Sequence, residues 1–128
     1  MPLPDRLARF NRWVTNPLMR TFAGRLPPFA IVEHRGRRSG RAYRTPVWAF
    51  ATGDGFVIAL TYGANRDWVR NVETAQGCVL KRGGRSIRCG APRVVGEREG
   101  APLAPAPIRP VLRLLGVTEF LRLFPTAQ

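Results

Sequence analysis

The sequence is poor in acidic residues, lysine, histidine and cysteine. Its 128 residues include 8 acidic side chains, one histidine and two cysteines, and lysine occurs once among 21 basic residues. Two cysteines are too few for a disulfide framework, and one histidine leaves no recognisable zinc-ligand spacing. No apolar run reaches the ~18–20 residues that a bilayer-spanning helix needs, and the N-terminal residues lack the continuous apolar segment of a secretory signal. These features predict a cytoplasmic protein without a metal site.

Arginine dominates what is present, and the formal net charge is +13. Such a charge favours an anionic partner, which could be nucleic acid, an acidic lipid surface, or a phosphorylated or polycarboxylate small molecule. Arginine enrichment can equally reflect genomic base composition, so the charge alone does not choose among these classes. The hydrophobic content of 45% is ordinary for a folded protein, and the length fits one domain.

Residues 3–20 carry the pattern of an amphipathic helix. Leu3, Leu7, Phe10 and Val14 recur at helical spacing on one face, and arginines lie away from it. A helix of this kind can pack on a core with its arginines in water. It can also rest on an acidic membrane surface, which would make the protein peripheral to the inner membrane face.

The rest of the chain alternates strand and turn signals. Strands are expected at 30–34, 41–51, 56–62, 78–82 and 85–95, helices at 68–75 and 108–124, and a Pro/Ala/Gly-rich linker at 96–107. Asn65 or Asp67 is the expected N-cap of the first of these helices, and Gly77 its stop. The pattern predicts a mainly β protein with flanking helices (α+β) that folds as a small barrel. As one domain of 1–128, it would comprise an N-terminal helical region at 1–27, the barrel at 28–95, and the linker and C-terminal helix at 96–128.

Three segments carry residues suited to ligand binding. Five arginines lie within residues 35–44 around a glycine turn, where backbone N–H groups and guanidinium forks can meet phosphate or carboxylate oxygens; an arginine-decorated hairpin without a ligand is the alternative. A helix N-terminus follows Gly63, where Trp68 can stack on a planar ligand or simply belong to the core. Pro46 lacks a backbone donor, which indicates a sheet edge or bulge beside the same region.

In this order, four segments resemble the deazaflavin-dependent nitroreductase family. They are Gly36-Arg37-Arg38-Ser39-Gly40, Arg44-Thr45-Pro46, Leu60-Thr61-Tyr62-Gly63 and Asp67-Trp68-Val69-Arg70-Asn71. The resemblance covers roughly residues 28–95. It implies a split β-barrel related to FMN-binding barrels, and it implies the anionic 5-deazaflavin coenzyme F-420, which carries a phosphodiester and an oligoglutamate tail. FMN is the alternative cofactor on such a barrel, and a homodimer is common among related barrels.

The resemblance also implies a set of site residues. The phosphate or tail would bind Arg37, Arg38 and Ser39, and the ring would lie along Thr45, Pro46, Val47 and Trp48. The remaining cofactor-binding residues implied are Arg44, Ala59, Leu60, Thr61, Tyr62, Asp67, Trp68 and Asn71. Trp48 and Tyr62 are the candidate catalytic residues: Trp48 would touch both the ring and the acceptor, and the proton for the product would come from Tyr62, from Tyr43 or from water. Some members have a lysine and a second glycine at the end of the wall strand, where this chain has Tyr62 and a single Gly63. Some also have tyrosines near the C-terminus that hold the substrate, and these are missing here, so the ring site carries over better than the substrate site.

The implied activity is hydride transfer from the reduced deazaflavin to an enone, a quinone or a nitro compound. Two other functions remain open from the residues alone. One is a nucleic-acid-binding β-barrel that uses its charge with Tyr43, Trp48 and Tyr62. The other is a non-catalytic carrier of the deazaflavin or of a flavin.

Overall fold

The computed structural model describes residues 29–126, and the six strands within this range form a closed antiparallel barrel. The strands are β1 (Phe29–Arg35), β2 (Ala42–Ala51), β3 (Phe56–Ala59), β4 (Gly77–Arg82), β5 (Arg85–Gly96) and β6 (Glu119–Pro125). The helices are α1 (Asp67–Ala75), α2 (Glu97–Gly100), a 3-10 turn (Ala101–Leu103) and α3 (Arg109–Leu114). Around the barrel the strand order is β1-β2-β3-β6-β5-β4. The predicted mainly β barrel with flanking helices is confirmed.

The predicted helix at 3–20, with the rest of the N-terminal region 1–27, lies outside the described residues. Across residues 29–126, no helix is long and apolar enough to cross a bilayer.

The turns that join β2 to β3 and β4 to β5 are explained by their own residues. Between β2 and β3, the Thr52 backbone N–H donates to the Gly55 carbonyl at 2.8 Å, and the Thr52 hydroxyl accepts from Gly55 N at 2.9 Å. A Cβ on Gly55 would lie 2.4 Å from the Leu123 carbonyl oxygen, so only glycine allows β6 to approach. Between β4 and β5, Gly83 and Gly84 both take positive φ, as a tight two-residue turn requires.

The apolar side chains pack in two layers. Alternate residues of the strands fill the barrel, and Val69 and Val72 of α1 pack onto this interior cluster from one end of the barrel. The opposite faces of β2, β3, β5 and β6 form a second cluster with the C-terminal helices, in which Phe120 and Leu112 are buried. The interior layer therefore fixes α1 against the barrel, which positions the loop before it.

The C-terminal segment differs from the helix predicted over residues 108–124. The helix α3 ends at Leu114, Gly116 takes a φ of +75°, and β6 follows. Leu121 and Leu123 belong to the barrel interior and Phe120 to the outer layer. The apolar residues of this segment suit helical spacing and strand alternation alike, and pairing with the edges of β3 and β5 favours the strand. The barrel thus extends beyond the predicted 28–95.

The predicted linker at 96–107 also contains regular structure, namely α2 and the 3-10 turn. A Cβ on Gly100 would lie 2.4 Å from the Phe120 ring, so glycine lets α2 lie directly on β6. The proline, alanine and glycine residues that suggested a linker also suit close packing of short helices against a sheet.

The wall strand and the next helix have different ends from those predicted. The strand expected at 56–62 ends at Ala59, and Leu60, Thr61 and Tyr62 lie outside it. The residue before α1 is Arg66, and it makes no side-chain cap bond, so neither Asn65 nor Asp67 is the N-cap.

The C-terminal end of α1 also differs from the prediction. Gln76 ends the helix with a φ of +56°, and Gly77 already belongs to β4. There a Cβ on Gly77 would lie 2.7 Å from the Cys89 carbonyl oxygen, so its glycine serves strand packing rather than helix termination.

The two cysteines are free and lie opposite each other on β4 and β5. Burial, with a smaller contribution from the neighbouring thiol, raises the pKa of Cys78 to about 12, and burial raises the pKa of Cys89 to about 11. Both remain protonated at neutral pH, which makes them poor nucleophiles.

Candidate functional site

A cleft of about 750 Å³ lies where β1 runs into the glycine turn and α1 packs over the barrel. β2 pairs with β1 from Ala42 to Trp48, but it pairs with β3 only from Trp48 to Ala51. Among the described residues, the first half of β2 therefore has a strand partner on one side only, and Pro46 lies in this half. The residues that line the cleft are His34, Gly36, Arg37, Arg38, Ser39, Tyr43, Arg44, Thr45, Arg66, Asp67, Trp68 and Asn71.

Arg37 connects the glycine turn to the start of α1. Its guanidinium donates to the Asn71 Oδ1 at 2.7 Å and pairs with the Asp67 carboxylate at 3.1 Å. Its backbone N–H also donates to the Asn71 Oδ1, at 3.2 Å. These contacts hold the turn against the helix and orient the Arg37 side chain along the cleft wall.

A chain of buried hydrogen bonds continues from Asn71 into the barrel end. The Asn71 Nδ2 lies 3.1 Å from His34 Nδ1, and His34 Nε2 lies 3.0 Å from the Thr45 hydroxyl. Asn71 and His34 are only 5% and 7% exposed. Burial lowers the pKa of His34 from its ordinary value, so the imidazole is neutral at physiological pH.

Aromatic rings form part of the cleft wall beside these polar groups. Tyr43 stacks on His34 with ring centroids 5.7 Å apart and an interplanar angle of 23°. Trp68 lines the cleft and also packs against the barrel interior, so it belongs to the core and to the cleft wall at once. The cleft therefore combines planar apolar surfaces with hydrogen-bond donors.

The charge in the cleft is predominantly positive. Four arginines line it, and Asp67 supplies the single carboxylate among the lining residues. Arg44 shares the Glu33 carboxylate with Lys81, at 3.5 Å and 3.0 Å respectively. Arg38 is exposed and has no carboxylate partner within residues 29–126. Arg38 is consequently available to an external anion.

Eight of the sequence-predicted cofactor residues line this cleft: Arg37, Arg38, Ser39, Arg44, Thr45, Asp67, Trp68 and Asn71. Seven others lie outside its lining: Pro46, Val47, Trp48, Ala59, Leu60, Thr61 and Tyr62. The side chains of Val47, Ala59 and Leu60 are buried in the two apolar layers. Tyr62 borders the cleft through Arg66, whose guanidinium lies 5.3 Å from the Tyr62 ring centroid.

The aromatic residues considered for nucleic-acid stacking have separate surroundings. Tyr43 faces the cleft, whereas Trp48 meets Phe29 edge to face at 6.2 Å and packs on the outer layer. The two positions have opposite parity on β2, so their side chains lie on opposite faces of the strand. Tyr43 and Trp48 therefore do not share one stacking surface.

The cleft lining also includes four residues outside the implied set of cofactor-binding residues: His34, Gly36, Tyr43 and Arg66. His34 is buried in the structure and lines the cleft. It follows Ala30 and Val32 at every second position, and this alternation places all three on the barrel-facing side. That alternation was the available signal. A Cβ on Gly36 would lie 2.7 Å from the Ser39 hydroxyl and 3.0 Å from the Tyr43 ring, so a larger residue there would displace these two side chains.

Comparison with known proteins gives a family match and several structural neighbours. A sequence model described as F420H(2)-dependent quinone reductase matches residues 7–106, most of the chain. A structure described as an F420-H2 dependent reductase (FDR-A) is 17% identical with a TM-score of 0.56, over 75% of this chain and 94% of that one. One described as a domain-swapped dimer is 14% identical with a TM-score of 0.59, over 91% and 98%. At such identities these similarities show the fold.

A further neighbour, the heme storage protein HutZ of Vibrio cholerae, is 11% identical with a TM-score of 0.57, over 100% of this chain and 93% of that one. Among curated proteins, a sequence search finds no match. The same barrel thus occurs in proteins whose descriptions name different ligands. The family match, not the shared fold, therefore identifies the family of this chain.

The donor set of the cleft fits coenzyme F-420. Its polar lining consists mainly of arginine N–H groups with the hydroxyls of Ser39 and Thr45, and planar rings lie beside them. Guanidinium forks match the oxygens of phosphodiester and carboxylate groups, and the rings suit a planar heterocycle. The resemblance drawn from the sequence is confirmed: the chain belongs to the F420H(2)-dependent quinone reductase family and is a reductase that uses the deazaflavin coenzyme F-420.

Proposed function

We propose that this reductase transfers hydride from reduced F-420 to a quinone or a related electron-poor acceptor, with the coenzyme bound in the cleft beside α1. The observation that carries the proposal is the convergence of four arginines with Ser39 and Thr45 on one cleft. When bound, the reduced coenzyme supplies the hydride. The protein contributes binding, orientation and electrostatics.

The glycine turn is the proposed binding site of the anionic part of the coenzyme. Arg37 is already oriented by Asp67 and Asn71, so little side-chain entropy is lost when a phosphate or carboxylate joins it. Arg38 has no carboxylate partner within the described residues and adds a second guanidinium on the same turn. We expect Arg38→Ala to weaken coenzyme binding with little change in acceptor preference.

The ring is proposed to extend from the cleft at Thr45 along the backbone of the one-sided half of β2, past Pro46 and Val47. Trp48 and Tyr62 are proposed to contact the acceptor from either side of this segment. Trp48→Ala should then raise the KM for the acceptor more than the Kd for the coenzyme. Tyr62→Phe should lower kcat if its hydroxyl protonates the reduced acceptor, and leave it unchanged if water does so.

Turnover with an acceptor panel tests the activity. Reduced F-420 is mixed anaerobically with the protein and a quinone, a nitroaromatic or an enone, and the return of oxidised coenzyme absorbance is followed. The family description favours the quinone, and the nitroreductase activity is the narrower alternative. Tight coenzyme binding without turnover of any acceptor would indicate a carrier and would contradict the proposed activity.

Two associations belong to the same proposal. A homodimer is supported by the related barrel described as a domain-swapped dimer, and sedimentation of the purified protein tests it. Docking of residues 3–20 on an acidic membrane remains a prediction from the sequence. Co-sedimentation with anionic vesicles at low salt, lost at high salt, would support it.

A further inference from the structure

The buried histidine of the cleft has two different partners on its two ring nitrogens. His34 Nδ1 lies 3.1 Å from the Asn71 Nδ2, and His34 Nε2 lies 3.0 Å from the Thr45 Oγ1. Neither the phosphate contacts nor the acceptor contacts proposed above involve this ring. Its environment nevertheless fixes which nitrogen carries the hydrogen.

Arg37 determines the orientation of the Asn71 amide. Both groups that reach Asn71 from this residue, the backbone N–H at 3.2 Å and the guanidinium at 2.7 Å, are donors. The atom they meet must therefore be the amide oxygen, and the amide nitrogen must face His34. Because an amide nitrogen only donates, His34 Nδ1 accepts and carries no hydrogen.

A neutral imidazole has one N–H group, which must then be on Nε2. His34 Nε2 donates to the Thr45 oxygen, so this hydroxyl accepts one hydrogen bond and still has its own hydrogen to donate. Within residues 29–126 that hydrogen has no protein acceptor, and Thr45 lines the cleft. The hydroxyl is thus held as a donor toward the cleft.

We infer that His34 is a positioning residue that acts through Thr45, holding its hydroxyl as a hydrogen-bond donor for a lone-pair atom of the coenzyme, such as a carbonyl, phosphate or carboxylate oxygen. This inference rests on the proposed function, since it takes the cleft as the coenzyme site. Together with the arginines, the Thr45 hydroxyl makes this wall of the cleft select ligand atoms that accept hydrogen bonds. Ligand N–H groups are disfavoured there, because they would leave the protein's donors unpaired.

A double-mutant cycle with oxidised F-420 tests the inference by fluorescence titration. The variants are Thr45→Val, which keeps the shape and removes the hydroxyl, His34→Leu, and the double variant. We expect each single variant to bind about tenfold more weakly, as the loss of a hydrogen bond to a charged or buried group implies. The double variant should be no weaker than either single one, because both substitutions remove the same contact.

Two conservative substitutions separate positioning from packing. His34→Gln keeps an amide N–H at the reach of Nε2 and should bind within about threefold of the wild type, because the hydrogen bond to Thr45 is largely retained. His34→Asn keeps a partner for Asn71 but does not reach Thr45, so it should bind like Thr45→Val. If His34→Leu does not fold, as judged by circular dichroism, the Gln and Asn variants are used in its place.

Additive losses in the double variant, or equal binding by the Gln and Asn variants, would overturn the positioning role and leave the coenzyme site intact. Failure of the wild-type protein to bind F-420 would overturn the proposed site itself, and the inference with it. A nonadditive cycle with rescue by glutamine supports the inference.

Discussion

The Asn71 side chain joins α1 to the glycine turn and to β1, so replacing it by alanine removes the contacts between these three segments. Asn71 is buried on α1 and makes three hydrogen bonds, two with Arg37 of the turn and one with His34 of β1. Alanine removes all three and leaves the His34 acceptor without its donor. The change does not alter the apolar face of the helix.

The expected loss follows from the number of bonds. A net contribution of ~1 kcal/mol for each hydrogen bond gives about 3 kcal/mol, and a water molecule entering the space can recover part of it. We therefore expect Asn71→Ala to lower the free energy of unfolding by about 2–3 kcal/mol. At ~4 °C for each kcal/mol in a domain of this size, Tm should fall by about 8–12 °C.

Urea unfolding followed by circular dichroism measures this difference. Glu73→Ala is the matched control, because Glu73 lies on the exposed side of the same helix. The control should stay within ~0.5 kcal/mol of the wild type, as is usual for exposed positions. An Asn71→Ala variant as stable as this control would refute the view that the polar chain holds the turn, α1 and β1 together.

Three further predictions concern packing and pH. Gly100→Ala places a Cβ about 2.4 Å from an aromatic ring of β6, so we expect a loss of about 1–3 kcal/mol in urea unfolding; an unchanged midpoint would contradict this packing. Hydrogen bonds from Thr52 and Arg122 lower the pKa of Asp54 below its ordinary value near 3.8. The stabilisation from these bonds is present above that value and is lost as the pH falls through the folded-state pKa. Asp54→Asn should therefore make the urea midpoint vary less with pH in this acid range. An unaltered dependence of the midpoint on pH would exclude the pairing. Burial lowers the pKa of His34, so the unfolded chain binds its proton first as the pH falls below ~6.5. Stability should decline from there, and His34→Gln should remove that part of the slope; an identical slope in the variant would refute it.

The turns and the central hairpins could be predicted from the sequence because their own residues determine them. Gly83 and Gly84 supply the positive φ of one turn, and the Thr52 side chain closes the other. The C-terminal strand could not be predicted in the same way. Leu121 and Leu123 fit a helix or a strand equally, and the choice depends on β3 and β5, which lie far away in the sequence.

The candidate site also contains parts that could be predicted from the sequence and parts that could not. The glycine turn and the Trp68 helix were predictable because their residues and spacing resemble a known family. The role of His34 was not, because it depends on Asn71, which lies 37 residues further along the chain and reaches the ring only when α1 packs over the barrel end. Burial of a polar side chain by a distant helix leaves no local pattern beyond the alternation of β1.

The central claim is that the cleft between the glycine turn and α1 binds the coenzyme. The most direct measurement is a fluorescence titration of F-420 into the wild type, Arg38→Ala and Arg85→Ala, where Arg85 is another exposed arginine, at the β4–β5 turn. The account predicts saturable micromolar binding by the wild type and by Arg85→Ala, with affinity at least about tenfold lower for Arg38→Ala, as for a charge-assisted hydrogen bond. Equal affinity in all three proteins would contradict it.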